Sequence, residues 1–202
     1  MFYEVAQGHG LPHDPIKALV APRPIGWICA MDASGAVNLA PYSFFNMVSD
    51  SPHMVMFSSA GRKDALAFVE ETGEFTCSIV SWGQREAMNR TSAPLPRGTS
   101  EFEYAGLEHE PSVMVRPPWV RGAPAALECR LVRTIDLAPL DGGAASYVMA
   151  IGQVVGVHIN DAVLRDGVVD TSLLQIVSRA GYHDYFLADH KFVLTRPGKT
   201  GS

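Results

Sequence analysis

The stretch that decides the fold is Gly35-Ala36-Val37-Asn38-Leu39-Ala40-Pro41-Tyr42-Ser43-Phe44-Phe45. Its first part, 36–40, has the character of a strand, and the proline that follows lets the chain leave that strand. The preceding segment, 24–31, is apolar and rich in large residues, and Asp32-Ala33-Ser34-Gly35 between the two is typical of a turn. Residues 24–40 therefore predict an antiparallel hairpin.

Short apolar segments continue this β pattern along the chain, separated by many of the 18 glycines and 14 prolines. Further strands are predicted at 53–59, 75–81, 125–135 and 146–159. Helices are predicted at 64–71, 83–90 and 173–177. The predicted fold class is mainly β with helical insertions, arranged as an antiparallel barrel.

Composition limits the possible functions. The chain has 202 residues, and its 16 lysines and arginines against 21 aspartates and glutamates give a net charge of −5. Charged residues make up 18% and apolar residues 47%, which excludes intrinsic disorder. The acidic balance argues against nucleic-acid binding and against a polybasic membrane-surface protein. The low charge indicates either a large core or a surface that is partly covered by a partner subunit or a ligand.

The cysteines and the apolar runs predict a cytoplasmic protein. Cys29, Cys77 and Cys129 each lie inside an apolar segment, which is typical of buried, reduced thiols. No signal peptide and no transmembrane stretch is expected.

We predict an N-terminal arm at 1–14, one domain at 15–195 and a disordered tail at 196–202.

The segment 57–64 is a candidate phosphate site. A strand ends here, two hydroxyls and two cations follow, and a helix then begins. Helix N-termini present free N–H groups and partial positive charge, which suits a dianionic phosphate. The alternative is a solvated basic turn before a helix. The candidate ligands are Ser58, Ser59, Arg62, Lys63 and Asp64.

The segment 38–46 is a candidate site for a flat heteroaromatic ring. Such a ring needs an apolar platform with a few polar groups at its edge. The alternative is that these aromatic side chains belong to the core. The candidate residues are Asn38, Ala40, Pro41, Tyr42, Ser43, Phe45 and Asn46, with Trp27 on the paired strand as a possible wall.

A third polar cluster lies at 179–185, which holds an arginine, a histidine, a carboxylate and two phenols. Its alternative is a surface loop held by an Arg–Asp pair.

No metal site is predicted, because prolines make a helix through His9 and His13 doubtful. No Rossmann, P-loop, zincin or nucleophile-elbow motif is present.

Taken in order, these motifs resemble the flavin reductase-like family, whose fold is the FMN-binding split barrel. The stretch 35–45 is similar to the most characteristic part of that family. The resemblance runs from about residue 15 to 190, and its other motifs are Pro22-Arg23-Pro24-Ile25-Gly26-Trp27, Gly61-Arg62-Lys63-Asp64, Gly73-Glu74-Phe75, Glu128-Cys129-Arg130-Leu131, Gly152–Ile159 and Arg179-x-Gly181 with Tyr185.

The resemblance implies an FMN-binding homodimer that uses NADH or NADPH to reduce flavin. In the family, the loop matching 58–64 holds the phosphate, and the stretch matching 38–46 packs on the isoalloxazine ring. Arg179 belongs to the C-terminal motif. No side chain must act as acid or base in hydride transfer, so His183 and Asp184 are only candidates for contact with the reductant.

This chain departs from the family pattern at three positions. A threonine and an asparagine that are common in the family's phosphate loop are replaced by Ala65 and Phe68, which removes one hydroxyl. Tyr182 stands where a second glycine often follows Gly181, and it could line the nicotinamide space or pack on a dimer partner.

The resemblance leaves several functions open. Some members of the family serve a monooxygenase, and others pass electrons to an acceptor protein. The loop 91–100 could cover a retained flavin, which would favour the second role. A non-catalytic flavin-binding or sensory module is the remaining alternative.

Overall fold

The computed structural model describes residues 1–195 and 197–198. The α-helices are α1 (Ile16–Leu19), α2 (Asp64–Thr72), α3 (Arg85–Arg90) and α4 (Glu101–Ala105), and short 3-10 helices lie at Val5–Gln7, Trp82–Gln84 and Asp161–Val163. The strands are β1 (Arg23–Pro24), β2 (Gly26–Met31), β3 (Val37–Tyr42), β4 (Phe45–Asp50), β5 (His53–Ala60), β6 (Glu74–Ile79), β7 (His109–Glu110), β8 (Trp119–Val120), β9 (Ala125–Asp136), β10 (Tyr147–Ile159), β11 (Leu164–Arg165), β12 (Val168–Val169), β13 (Val177–Arg179) and β14 (Tyr185–Leu187).

Seven strands form one antiparallel sheet in the order β3-β2-β6-β9-β10-β5-β4. The two edge strands, β3 and β4, follow each other in the chain, yet no ladder joins them among the described residues. The sheet is therefore open between them. The prediction of a mainly β, antiparallel fold is confirmed.

The predicted hairpin is present as β2 and β3, paired from Gly26↔Tyr42 to Met31↔Val37. The turn is closed by Asp32, whose carboxylate accepts the N–H of Ala36 at 2.9 Å. Gly35 has a φ of +96°, which favours glycine over residues with a side chain. Local turn chemistry thus fixes the register of the segment that defines the fold.

Two apolar clusters cover the two faces of the sheet. Alternate residues of a strand point to opposite faces. Ile28 accordingly packs in the cluster under α2, with Phe57 and Phe75, whereas Trp27 packs in the other cluster with Val80. All three cysteines are buried and unbonded, as predicted, and burial raises the pKa of the Cys129 thiol to about 12.

The long strand β10 bends as its glycines suggest. Its pairing with β9 shifts register at Ile151/Gly152 and again at Val154/Gly156. A Cβ at Gly152 would lie 2.4 Å from the ring of Phe75, so this glycine allows the aromatic side chain to approach the backbone closely.

The predicted helix at 173–177 is wrong. Residues 171–174 form a turn, and β13 begins at Val177. Backbone pairing explains the difference, since Ile176 bridges Ser81 and Ser178 pairs with Pro24. The sequence analysis also missed β4, α1 and α4, while the loop 91–100 contains neither helix nor strand.

A small sheet of β1, β13 and β14 lies beside the main one and pairs Arg23 with Arg179. The predicted tail, 196–202, falls outside the described residues except for 197–198. No helix in the described part of the chain is long and apolar enough to cross a membrane.

Candidate functional site

A cleft of about 820 Å³ opens where β3 and β5 end and the turn after β13 approaches them. This volume lies within the range of small-molecule and cofactor sites. The cleft is lined by His13, Asp14, Lys17, Arg23, Ile25, Pro41, Tyr42, Ser43, Phe44, Ser58, Ala60, Lys63, Met88, Asn89, Ser92, Tyr147, Arg179, Ala180, Tyr182, His183 and Tyr185. It therefore brings together residues from all three clusters that the sequence analysis selected.

One wall of the cleft is the end of β3. Pro41, Tyr42 and Ser43 line it in succession, so an apolar surface stands beside hydroxyl groups. The ring of Tyr42 is held by Phe57, at 4.8 Å between centroids. Burial raises the pKa of the Tyr42 phenol. This wall suits a flat, largely apolar ring.

The end of β5 and the start of α2 offer donors to an anion. The hydroxyl of Ser58 is buried and has no hydrogen-bond partner among the described residues. Lys63 also lines the cleft, and no carboxylate pairs with it in the described part of the chain. Helix α2 begins directly after Lys63. The first hydrogen bond of the helix runs from the N–H of Ala67 to the carbonyl of Lys63. The preceding N–H groups add free donors and partial positive charge.

The other residues predicted for the phosphate loop lie elsewhere. Arg62 contacts Glu70 at 3.1 Å and Asp136 at 3.3 Å, and it does not line the cleft. Asp64 contacts Arg97 at 3.4 Å. Ser59 is fully buried, and its hydroxyl likewise has no partner among the described residues.

Five residues predicted to face the ring stand behind the cleft or away from it. Trp27 is fully buried, and its indole donates to the Thr91 hydroxyl at 2.9 Å. Asn38 donates to the Glu101 carboxylate at 2.8 Å, and burial raises the pKa of that carboxyl. The remaining three are Phe45, which packs in the core, Ala40, which pairs with Ile28, and Asn46, which is exposed on β4.

The C-terminal cluster forms a further wall. Arg179 lines the cleft, and its guanidinium lies 4.5 Å from the ring of Tyr185. His183 also lines the cleft. Asp184 does not line it, and its backbone carbonyl closes the turn by accepting the N–H of Ala180 at 3.0 Å.

Tyr182 has an unusual backbone at this turn. Its φ is +52°, in the left-handed region that favours glycine. This geometry explains why glycine is common at the matching family position. The phenol is half exposed, lines the cleft and lies 5.6 Å from the ring of His13.

Arg23 is a site residue that the sequence analysis did not select. Its side chain is buried, and its guanidinium donates to the carbonyls of Lys17 and Val20 in and after α1 and to that of Ala180. Burial and the nearby Arg179 lower the pKa of Arg23. Only the pairing of β1 with β13 places these two arginines together, and no local pattern indicates it.

The N-terminal region contributes residues that were also missed. His13, Asp14 and Lys17 line the cleft from the arm and α1. The lining as a whole holds four cationic side chains (Lys17, Arg23, Lys63 and Arg179) and one carboxylate (Asp14). A cleft with this balance in a chain of net charge −5 favours an anionic ligand.

Residues 20–191 match the model of a protein family described as the flavin reductase-like domain. The chain belongs to the flavin reductase-like family. The resemblance drawn from its motifs is therefore confirmed.

The chain is also similar to known proteins over most of its length. A protein of Halalkalibacterium halodurans is 36% identical over 184 residues, covering 88% of this chain and 87% of that protein. The crystal structure of nitrilotriacetate monooxygenase component B from Bacillus cereus is 31% identical with a TM-score of 0.85, covering 96% of this chain and 98% of that one.

A structure from Shewanella frigidimarina, described as a flavin reductase with a split barrel domain, shares the fold. Its TM-score is 0.79 at 24% identity, and the match covers 90% of this chain and 89% of that one. The predicted split barrel is confirmed, in agreement with the open sheet. Membership of the flavin reductase-like family supports flavin binding and a flavin-related oxidoreductase function.

Proposed function

We propose that this protein binds FMN and uses NADH or NADPH to reduce flavin. The observation that carries the proposal is the cleft, which is lined by the buried hydroxyl of Ser58 and by Lys63, neither of which has a partner among the described residues. The wall of Pro41, Tyr42 and Ser43 lies in the same cleft. A dianionic group and a flat ring are both accommodated, which is the combination FMN requires.

Ser58, Lys63 and the start of α2 would hold the FMN phosphate. A buried hydroxyl without a partner is costly, and a phosphate oxygen would satisfy it. Lys63 supplies a charge that is not already neutralised by a neighbouring carboxylate. Because the hydroxyl of a family threonine is missing at Ala65, these donors carry more of the phosphate binding in this chain.

The remaining lining would hold the ring and the reductant. Tyr42 and Ser43 orient the flat ring, and Arg179 and His183 face it from the other wall. Bound FMN would supply the hydride-accepting chemistry, and these residues supply position and electrostatics. No side chain is required as an acid or base. His183 is the better placed of the two candidates for contact with the reductant, since Asp184 does not line the cleft.

We propose further that reduced flavin serves a partner monooxygenase. The similarity to a monooxygenase component B at 31% identity supports this role. An electron-acceptor protein is the alternative, and it gains support from Ser92, which places the loop 91–100 in the cleft wall, where it could retain the flavin. Steady-state kinetics with FMN as the varied substrate separate the two roles, because saturable turnover indicates release.

We also propose that the protein is a homodimer. Met47 and Val48 lie on the edge strand β4 and are 51% and 49% exposed, next to a register shift in its pairing with β5. Exposed apolar residues on an edge strand are usually covered by a partner. Sedimentation should give twice the chain mass of 21.8 kDa.

The deciding experiment is an absorbance spectrum of the purified protein with FMN, taken anaerobically before and after NADH or NADPH. The expected result is a bound flavin spectrum that bleaches with at least one of the nucleotides. If FMN binds but neither nucleotide reduces it, the protein is a non-catalytic flavin-binding or sensory module. If FMN does not bind at micromolar concentration, the proposed function is wrong.

A further inference from the structure

A second pocket, of about 350 Å³, adjoins the cleft. The two cavities lie side by side, because five residues belong to the lining of both: Met88, Asn89, Arg179, His183 and Tyr185. The second pocket extends beyond this shared wall to Trp82 and Arg85. An elongated ligand that crosses this shared wall would occupy both the cleft and the pocket.

The far end of the pocket is a flat surface made by an arginine stacked on an indole. The guanidinium of Arg85 lies 3.8 Å from the centroid of the Trp82 ring, and the indole is 45% exposed. Arginine stacked on an indole offers a planar face on which a purine base can stack. Aromatic platforms of this kind bind bases through stacking.

The backbone holds this surface in place. The N–H of Trp82 donates to the carbonyl of Gln175 at 2.9 Å, and Arg85 donates to the carbonyl of Trp82 at 2.8 Å. A large exposed aromatic side chain on a fixed backbone loses little conformational entropy when a ligand binds. The surface is thus preorganised for a planar ligand.

The charges along the two cavities suit phosphates between the two ends. Arg179 stands in the shared wall, and no carboxylate pairs with it in the described residues. Glu86, the one carboxylate in the pocket lining, lies 3.5 Å from Arg85 and is therefore balanced by it. Arg179, whose guanidinium also donates to the carbonyl of Tyr182, therefore places positive charge between the cleft and the stacked surface.

We propose that this pocket is the subsite for the adenosine half of the nicotinamide dinucleotide. The dihydronicotinamide ring lies in the main cleft, the diphosphate passes Arg179, and the adenine stacks at Trp82 and Arg85. This assignment rests on the proposed function, because it names how the reductant of that reaction is held. Trp82 is then a specificity residue for the dinucleotide, with no role in FMN binding.

The test compares two reductants. NADH and NADPH carry the adenosine half, whereas N-benzyl-1,4-dihydronicotinamide does not. In Trp82→Ala, the KM for the preferred dinucleotide should rise about tenfold, as expected for loss of one stacked base. The rate with N-benzyl-1,4-dihydronicotinamide and the affinity for FMN should stay at wild-type values. Trp82→Phe, which keeps a flat ring, should restore most of the dinucleotide affinity.

Arg85→Lys provides a second variant. It keeps the charge but loses the planar face, so a smaller rise in KM for the dinucleotide is expected, again without change for the benzyl reductant. Tyr104→Ala is the matched control, because Tyr104 is 53% exposed and lines neither cavity. It should behave as the wild type with all reductants.

Three outcomes would overturn the subsite. The first is an unchanged dinucleotide KM in Trp82→Ala, and the second is an equal loss with both reductants. The third is a changed oligomeric state with unchanged discrimination between reductants, which would make Trp82 an interface residue. Failure of the proposed function looks different, because the wild-type protein itself would then not be reduced by either dinucleotide.

Discussion

Two adjacent cations, Arg62 and Lys63, differ in what surrounds them. Arg62 is 52% exposed along its side chain and is neutralised by Glu70 and Asp136. Lys63 faces the cleft without such a partner among the described residues. A phosphate must compete with two carboxylates for Arg62, but with none for Lys63. At the scale of single residues, this difference decides which cation serves the ligand.

Lys63→Ala should therefore weaken FMN binding by about tenfold or more, which corresponds to about 1.4 kcal/mol. Riboflavin, which lacks the phosphate, should bind the variant and the wild type alike. Flavin fluorescence titration measures both affinities.

Arg62→Ala is the matched control, since it removes the neighbouring cation that lies outside the cleft. FMN affinity should change by less than about threefold in this variant, because exposed ion pairs contribute little. An equal loss of FMN and riboflavin binding in Lys63→Ala would show that Lys63 does not hold the phosphate.

The sequence analysis could place residues on strands but could not choose the face that lines the cleft. Alternation along β2 puts Trp27 and Ile28 on opposite faces, yet both faces of the sheet are covered by apolar clusters. Trp27 therefore packs in a core, while Tyr42 on the paired strand lines the cleft. Strand periodicity does not distinguish a ring platform from a core when both are apolar.

At the scale of elements, α1 is a four-residue helix that would be unstable alone. Arg23 holds it by donating to the carbonyls of Lys17 and Val20, and Gly181 lets it approach closely. A Cβ at position 181 would lie 2.4 Å from the Cβ and 2.7 Å from the Cα of Ala18. The position of Lys17 in the cleft thus depends on contacts from the opposite end of the chain.

Gly181→Ala should displace α1, because the added methyl group meets backbone that cannot move aside. The expected loss of stability is about 1–3 kcal/mol, as for overpacked sites. Amide exchange should increase in the segment 16–19, and chemical denaturation should give the change in free energy.

Gly83→Ala serves as the control, since its added Cβ meets only the Ser81 hydroxyl, at 4.0 Å. Its stability should stay within about 0.5 kcal/mol of the wild type. A Gly181→Ala protein as stable as this control, with unchanged exchange in α1, would contradict the close packing described for Ala18.

Local signals predicted some elements and missed others for a physical reason. The hairpin of β2 and β3 and the helix α2 have turn and end residues next to them in sequence, such as Gly35 and Gly73. The docking of α1 and the start of β13 depend on pairing between Arg23 and Arg179, which are far apart in sequence. Pairing between distant residues produces no periodic pattern in the local sequence, so these elements could not be predicted from it.

At the scale of the whole molecule, the buried carboxylate of Glu128 joins the main sheet to the loop before β8. It accepts the N–H groups of Val113, Met114 and Val115 at 2.8, 2.5 and 3.1 Å, and it contacts His158 on β10. Although burial acts in the other direction, these hydrogen bonds lower the pKa of Glu128 overall.

The stability contributed by the Glu128 carboxylate should depend on pH. Its pKa is lower in the folded state, so this stability is complete above the unfolded pKa of about 4.3 and is lost as the pH falls through the folded value. Glu128→Gln should lower the unfolding free energy at pH 7 by about 1–3 kcal/mol, since one amide oxygen cannot serve every donor. The difference in unfolding free energy between Glu128→Gln and the wild type should become smaller as the pH falls.

Denaturant titrations of both proteins from neutral to acidic pH measure this difference. Subtracting the unfolding free energy of the variant from that of the wild type at each pH removes the contribution of other carboxyl groups with lowered pKa values, such as Asp32 and Asp170. Glu103→Gln is the control, at an exposed position on α4. Its unfolding free energy should change with pH in the same way as that of the wild type. A constant gap at all pH values would show that the Glu128 carboxylate is not the titrating group.

At Tyr182, stability and the shape of the cleft favour different residues. Glycine at this position would relieve about 1–2 kcal/mol of backbone cost, yet it would remove the ring that lines the cleft beside His13. A laboratory population screened only for heat resistance should therefore accumulate glycine at position 182. Screening for flavin binding as well would test whether the ring beside His13 is retained.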